Sequence, residues 1–321
     1  MTKLNIGVIR GGPSSEYEVS LKTGENIIKY LPRDRYRVFD IFLSKKGQWH
    51  MDGIESSPDK IFRAIDVAFN ALHGEFGEDG GLQRIMDTYG VAYTGSESWA
   101  SMIAMNKILA KESFRDGDIK TPNGMSVRKT EDINNAAFNI VKKIGPPWIV
   151  KPAKRGSSVG VSAVSNFDGL IKGIEYALKY DNIVLVEKKI IGREATCGIL
   201  ENFRGEDYYA FPVVEIVPPT NAHFFDYEVK YNGKTQEICP GRFDMKTKLQ
   251  IQETAKRAHR ILGCRHYSRS DFIVARDGIY LLETNTLPGM TSESLLPKAA
   301  SAIGLEFSGL LEHLITLAKR K

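Results

Sequence analysis

The sequence predicts an α/β and α+β protein built of three consecutive units, the first an open α/β layer. Three observations carry that prediction. Short apolar runs alternate with helical or turn sequence up to residue 95; a second strand and helix series leads to Lys151; the last stretch gathers strands, a long helix and a tight hairpin. A chain of 321 residues also suits two or three domains of roughly 100 to 200 residues each. The expected boundaries are 1–95, 96–186 and 187–321.

In the first unit, residues 4–10 read as a buried strand, 11–15 as a loop, and Glu18 to Tyr30 as a helix with Val19, Thr23, Ile27 and Tyr30 on one face. Tyr36–Leu43 and Asp66–Leu72 are further strands, and a helix over Gly81–Tyr89 leads to Val91. The second unit reads as a helix over Ser98–Phe114, a turn at Thr121-Pro122, a strand near Met125–Arg128, a helix near Ile133–Lys143 and a strand over Trp148–Lys151. After a helix over Phe167–Lys179 come strands at Ile183–Glu187, Ala195–Leu200 and Tyr208–Ile216, then a helix over Lys246–Leu262. A hairpin closed by Arg276-Asp277-Gly278 and helices near Leu295–Ile303 and Leu305–Lys319 complete the chain. With no repeat and no long linker, the units should pack together and leave a ligand cleft between them.

Composition narrows the classes. Hydrophobic residues at 42% and charged residues at 26%, with a mean hydropathy of -0.25, fit a soluble globular protein. No apolar run approaches the roughly 18 residues of a membrane helix, and the N-terminus turns at once into strand-like sequence, so a cytoplasmic protein without membrane insertion is expected. Cys197, Cys239 and Cys264 lie far apart with no Cys-x-x-Cys pair, so neither a disulfide framework nor a cysteine zinc site is indicated. The net charge of +5 and pI near 8.9 raise a nucleic-acid partner, but the basic residues are spread through all units, with no run longer than Lys319-Arg320-Lys321.

Asp271, Glu283 and Asn285 give the strongest chemical signal. Glu283 and Asn285 share a strand face, and Asp271 sits across from them if the hairpin register allows. Their apolar flanks argue for burial, and buried acids need cations; hard oxygen ligands of this kind suit Mg²⁺ bridging phosphates. A second signal is Lys151-Pro152 followed by Gly156-Ser157-Ser158-Val159-Gly160-Val161, a loop whose amides could cradle phosphate, although such loops are more often plain turns. Gly233-Lys234-Thr235 is no P-loop, because Glu228 stands where glycine is required. Two glycine-punctuated loops, Gly11 to Glu16 and His73 to Gly80, follow strands, where open α/β sheets bind ligands. The aromatic and charged stretch Phe224 to Tyr231 reads as a loop able to close over a pocket, and the turn at Gly289 leads to a helix near Ser294 whose amides could hold an oxyanion.

Taken in order, these motifs resemble the D-alanine:D-alanine ligase family of the ATP-grasp enzymes, through nearly the whole chain. The resemblance rests on Gly-Gly-x-Ser-x-Glu at 11–16 with Val19, His-Gly-x-x-Gly-Glu-Asp-Gly at 73–80, the Lys151 loop, Asp-Tyr-x-x-Lys-Tyr at 226–231, Arg269-x-Asp271, and Glu-x-Asn-Thr-x-Pro-Gly-Met-Thr at 283–291. It implies a three-domain ATP-grasp fold, ATP and two Mg²⁺ (or Mn²⁺) as cofactors, D-alanine as substrate, and a homodimer. Implied ATP-binding residues are Lys107 and Lys151 on phosphates, Glu187 and Glu194 near adenine and ribose, and Ser157, Ser158, Lys188, Ile190, Phe224, Lys230, Leu282 and Glu283. Asp271, Glu283 and Asn285 would hold the metals. Glu16, Val19 and His73 would meet the first D-alanine, Arg269 and the Gly289 amide the oxyanion, and Ser294 and Leu295 the second carboxylate. Lys230 and Tyr231 would come from the closing loop, with Tyr231 tied to Glu16 and Ser157 and favouring an amine nucleophile.

Four positions depart from the family pattern: Asn106, Arg84, Phe225 and Lys189. The alternatives are a related ATP-grasp ligase with another amino acid or carboxylate substrate, and a silent nucleotide-binding module.

Overall fold

The structure, a computed structural model, describes residues 3–157, 159–219 and 235–320. The first sheet is built from β1 (Leu4–Gly11), β2 (Tyr36–Leu43), β3 (Trp49–Met51), β4 (Ile54–Glu55), β5 (Val67–Asn70) and β6 (Ala92–Tyr93), in the order β4-β3-β2-β1-β5-β6. Strand β1 lies inside this sheet, parallel to both β2 and β5, because Ile6, Val8 and Ile9 give it apolar side chains for both faces. The parallel strands therefore end at one edge, from which the Gly11–Glu16 and His73–Gly80 loops emerge. At that edge Gly11 has φ +96°, and a Cβ there would lie 2.3 Å from the Leu43 carbonyl, so only glycine turns the chain into the loop. Helices α1 (Tyr17–Tyr30), α2 (Pro58–Ala64) and α3 (Gly81–Thr88) complete this layer.

The second sheet is antiparallel, with β7 (Gly124–Arg128), β8 (Trp148–Pro152), β9 (Ser162–Val164) and β10 (Ile183–Lys188) in the order β7-β10-β8-β9. Helices α6 (Ile133–Lys143) and α7 (Phe167–Ala177) bury Ile140 and Ile174 with Trp148, Val150 and Val186 in its own core. The third sheet runs β14-β13-β11-β15-β16 through β11 (Arg193–Phe203), β13 (Val214–Val217), β14 (Gln236–Ile238), β15 (Tyr267–Ala275) and β16 (Gly278–Asn285), with β12 (Glu206–Ala210) beside β11. The long helix α8 (Met245–Ile261) covers it.

Packing crosses the chain-order boundaries. Helices α4 (Ser98–Met105) and α5 (Lys107–Asp116) contribute Ala104, Ala110 and Phe114 to the core formed by Ile251, Phe272 and Leu281 of the third unit. The terminal helices α9 (Leu295–Ser301) and α10 (Phe307–Lys319) share one core with Ile6, Val8, Val67 and Phe69 of the first sheet.

Two expectations from the sequence need correction. The single helix over Ser98–Phe114 is two helices, broken at Asn106, whose extended backbone and side chain cap the second by accepting from Ile108 N and Leu109 N. The single strand over Tyr208–Ile216 is β12 and β13, separated where Phe211 turns in to the core.

Candidate active site

The β15–β16 hairpin carries the site, and one irregularity in it decides which side chains face one another. From its turn, Ala275 pairs with Gly278 and Phe272 with Leu281; then Leu282 is an extra residue, and Asp271 pairs with Glu283 and Arg269 with Asn285. Without this bulge Asp271 would face Leu282, and Glu283 would pair with Ser270 on the core face. With it, Phe272 and Leu281 enter the core while Asp271, Glu283, Arg269 and Asn285 share the other face.

Each of those four groups has a partner within the protein. Arg269 donates from Nε and Nη2 to the two oxygens of Asp271 at 3.0 and 2.9 Å, a bidentate pair, and Thr196 Oγ1 donates to Asp271 Oδ1 at 2.6 Å. Burial works against the guanidinium, but Asp271 outweighs it and holds the Arg269 pKa above its ordinary value. Lys107 Nζ stands 3.7 Å from Glu283 Oε2 and donates to the Arg155 carbonyl at 2.7 Å. The Asn285 Oδ1 accepts from Leu287 N at 2.7 Å. Among the described residues no three His, Cys, Asp or Glu side chains converge as a metal cage. Two carboxylates and an amide oxygen leave positions for phosphate oxygens and water, which is how Mg²⁺ is commonly held beside a nucleotide.

A deeper cluster lies where β8 and β10 meet α5. Glu187, 3% exposed, has Lys111 Nζ at 2.6 Å on Oε1 and Lys151 Nζ at 2.6 Å on Oε2. Burial would raise the Glu187 pKa, but the two ammonium groups overcome it and keep the carboxylate below its ordinary value. Lys151 is pulled down by burial and held up more strongly by Glu187 and Glu283, whereas burial brings Lys111 down to about 8. Glu194, on β11, is pushed up to about 7 by burial and then by the Asp271 charge.

Two cavities meet at this face. One, of about 530 Å³, lies between the second and third sheets and is lined by Lys151, Glu187, Lys188, Ile190, Glu194 and Leu282, with Asp271 at its floor. The other, of about 870 Å³, opens toward the first sheet and is lined by Glu16, Val19, His73, Asn285, Gly289 and Ser294. Lys107, Ser157, Arg269, Glu283 and Leu295 border both. In the larger cavity His73 is fixed through both ring nitrogens, Nε2 to Thr23 Oγ1 at 2.9 Å and Nδ1 to Glu78 Oε1 at 3.1 Å. The Lys151 loop reaches across to the first unit: Arg155 pairs with Glu75, and a Cβ on Gly156 would lie 2.7 Å from Glu16 Oε1. Ser157 adopts φ +53° in this loop. Ser294 Oγ accepts from Thr291 N at 3.1 Å and fixes the turn that follows Gly289.

The family model for the D-ala D-ala ligase C-terminus matches residues 114–316, and that for its N-terminus matches residues 5–62 and 55–96. The chain belongs to the D-alanine–D-alanine ligase family. It is 40% identical over 319 residues to a D-alanine--D-alanine ligase of Syntrophobacter fumaroxidans, covering 98% of each chain. Among solved structures it resembles the Bacillus anthracis D-alanine--D-alanine ligase complexed with ATP, at TM-score 0.82 and 35% identity over 99% of this chain and 98% of that one. It also resembles the VanG D-Ala:D-Ser ligase of Enterococcus faecalis, at TM-score 0.87 and 29% identity over 99% of this chain and all of that one.

Within this family frame, every described residue expected from the sequence lies on one of the two cavities. Lys188 does so with its ammonium turned to the Gly145 and Pro146 carbonyls. Ser158, Phe224, Phe225, Lys230 and Tyr231 lie outside the described residues. Of the departures, Asn106 caps α5 as the usual aspartate could, Arg84 is exposed, and Lys189 lines the smaller cavity. Sequence reading missed Lys111, Glu78 and Thr196.

Proposed function

We propose that the chain joins two D-alanines into D-alanyl-D-alanine for peptidoglycan precursors, converting ATP to ADP and phosphate through an acylphosphate. The observation that carries this reading is the meeting of the two cavities at a shared wall where Lys107 and Arg269 stand as fixed cations. A phosphoryl group moving to a carboxylate brings two anions together, and fixed cations lower that barrier.

In this reading the smaller cavity takes ATP, with Glu187, Lys188, Ile190 and Glu194 around base and ribose and Lys107 and Lys151 toward the phosphates. Asp271, Glu283 and Asn285 would hold two Mg²⁺, which supply charge neutralisation for the polyphosphate. Glu16 faces the ammonium of the first D-alanine, with Val19 and His73 bounding it. The carboxylate of that first D-alanine takes the γ-phosphoryl group and releases ADP, and the deprotonated amine of the second D-alanine, whose carboxylate sits at Ser294 and Leu295, displaces phosphate. Arg269, held in orientation by Asp271, and the Gly289 amide receive the oxyanion of the tetrahedral intermediate; because Asp271 fixes the guanidinium beforehand, little reorganisation is left for the reaction itself.

The protein is read as a cytoplasmic homodimer; no helix among the described residues is long and apolar enough to cross a membrane. Phosphate release from ATP and Mg²⁺ tests the reaction, with D-alanine alone or paired with D-serine or D-lactate, and with L-alanine as control, products being weighed by mass spectrometry. D-alanyl-D-alanine as the main product is expected; ATP binding without D-alanine-dependent release would refute the assignment. A main product carrying D-serine or D-lactate would move the chain to a neighbouring specificity.

A further inference from the structure

Lys111 sits in the buried charge cluster but lines neither cavity, and the reaction above gives it no part. It shares a face of α5 with Lys107, one turn away. Lys107 turns toward Glu283 at the reacting end, and Lys111 toward Glu187 at the nucleotide end. Glu187 is thus held from opposite oxygens by one lysine that reaches the nucleotide cavity, Lys151, and one that does not.

Charge balance decides what that second lysine does. Glu187 with Lys151 alone would be a closed, neutral pair, and a phosphate drawing on Lys151 would leave a buried carboxylate losing its partner, a costly state. With Lys111 present the cluster carries one net positive charge, and Glu187 keeps a full-strength partner whatever Lys151 does. We propose that Lys111 is a positioning residue for nucleotide binding: it holds Glu187 charged and in place, freeing the Lys151 ammonium to be shared with the polyphosphate. The inference rests on the ATP-dependent reading above.

The test uses the full chain, with ATP and Mg²⁺ as ligand, calorimetric Kd, KM for each substrate and thermal melting. Lys111→Met is expected to raise the Kd and KM for ATP by about 10-fold or more, while the KM for D-alanine stays within about 2-fold. Lys111→Arg, which keeps the charge, should recover most of the loss. In a Glu187→Gln background there is no anion to hold, so adding Lys111→Met should weaken ATP binding by less than about 3-fold. That double variant also serves if Lys111→Met alone does not fold. Unchanged ATP affinity in folded Lys111→Met, equal losses for ATP and D-alanine, or a full 10-fold further loss in the Glu187→Gln background would each overturn the proposal. Wild-type protein that binds no ATP would instead sink the ligase reading itself.

Discussion

Two carboxylates in this molecule face lysines, and they do so in opposite ways. Glu187 is sealed, 3% exposed, with an ammonium on each oxygen at 2.6 Å. Glu283 is open, 43% exposed, with Lys107 at 3.7 Å, beyond hydrogen-bond distance. The first is a buried cluster of two ammonium groups on one carboxylate; the second stands exposed at the cavity wall. Buried charge that is fully paired shapes a site, and charge left at a cavity wall is what a metal or a phosphate can recruit.

The comparison breaks most sharply at Glu283. Glu283→Gln should lower kcat by about 1000-fold or more while leaving the melting temperature near wild type, because an exposed, loosely bridged carboxylate adds little to folding; wild-type turnover in the presence of Mg²⁺ would remove it from the metal set. Inserting one alanine after Leu282 is expected to abolish activity in protein that still folds by circular dichroism, since it shifts the register by one and turns Glu283 and Asn285 to the core face. Residual turnover above that of Glu283→Gln would show that the bulge is not what aims the pair. Glu187→Gln should behave in reverse, lowering stability by about 3 kcal/mol as two buried lysines lose their counter-ion; denaturant titration with an unchanged midpoint would contradict the sealed-cluster account.

A pH dependence sharpens the same contrast at Glu194, whose folded pKa near 7 stands above the ordinary carboxylate value of 4.5. Between those pH values the folded protein binds more protons than the unfolded chain, so stability falls as pH rises through that window. In metal-free protein the loss should be on the order of 2 kcal/mol, and Glu194→Gln should flatten it. A wild-type curve already flat from pH 4.5 to 7 would contradict the raised pKa. The smallest effect is expected at the α5 cap: Asn106→Ala should cost about 1 kcal/mol and Asn106→Asp almost nothing in thermal melts.

Much of this site was legible in the sequence because motif order along the chain was enough to bring the polar loops to one edge. Asp271, Glu283 and Asn285 could be placed on paired strands from the short turn at Arg276-Asp277, but not in register. The bulge at Leu282 leaves no mark in a run of apolar residues, and a strict alternation would have put Glu283 on the wrong face. Lys111 escaped for a different reason. A lysine one turn after another on an amphipathic helix reads as solvated surface, and only the arrival of β10 from 70 residues later turns that face into the wall of an ion cluster. The break at Asn106 was hidden because a lone asparagine in an otherwise apolar and helical run reads as tolerated inside one helix; the break shows where its side chain caps the second helix and Lys107 N turns to the Ala153 carbonyl.

Helix α10 gives the first sheet its cover, with Leu310, Leu311, Leu314 and Ile315 against Ile6, Val8, Val67 and Phe69. Part of the first sheet's cover is therefore made last in synthesis. On the ribosome the earliest strands to emerge gain part of this cover from Ile27 and Leu31 at the end of α1, and wait through more than two hundred further residues for the rest. The N-terminal unit is in that sense a client of the chain's far end, and it is the part of the molecule that nascent-chain chaperones would be expected to attend longest.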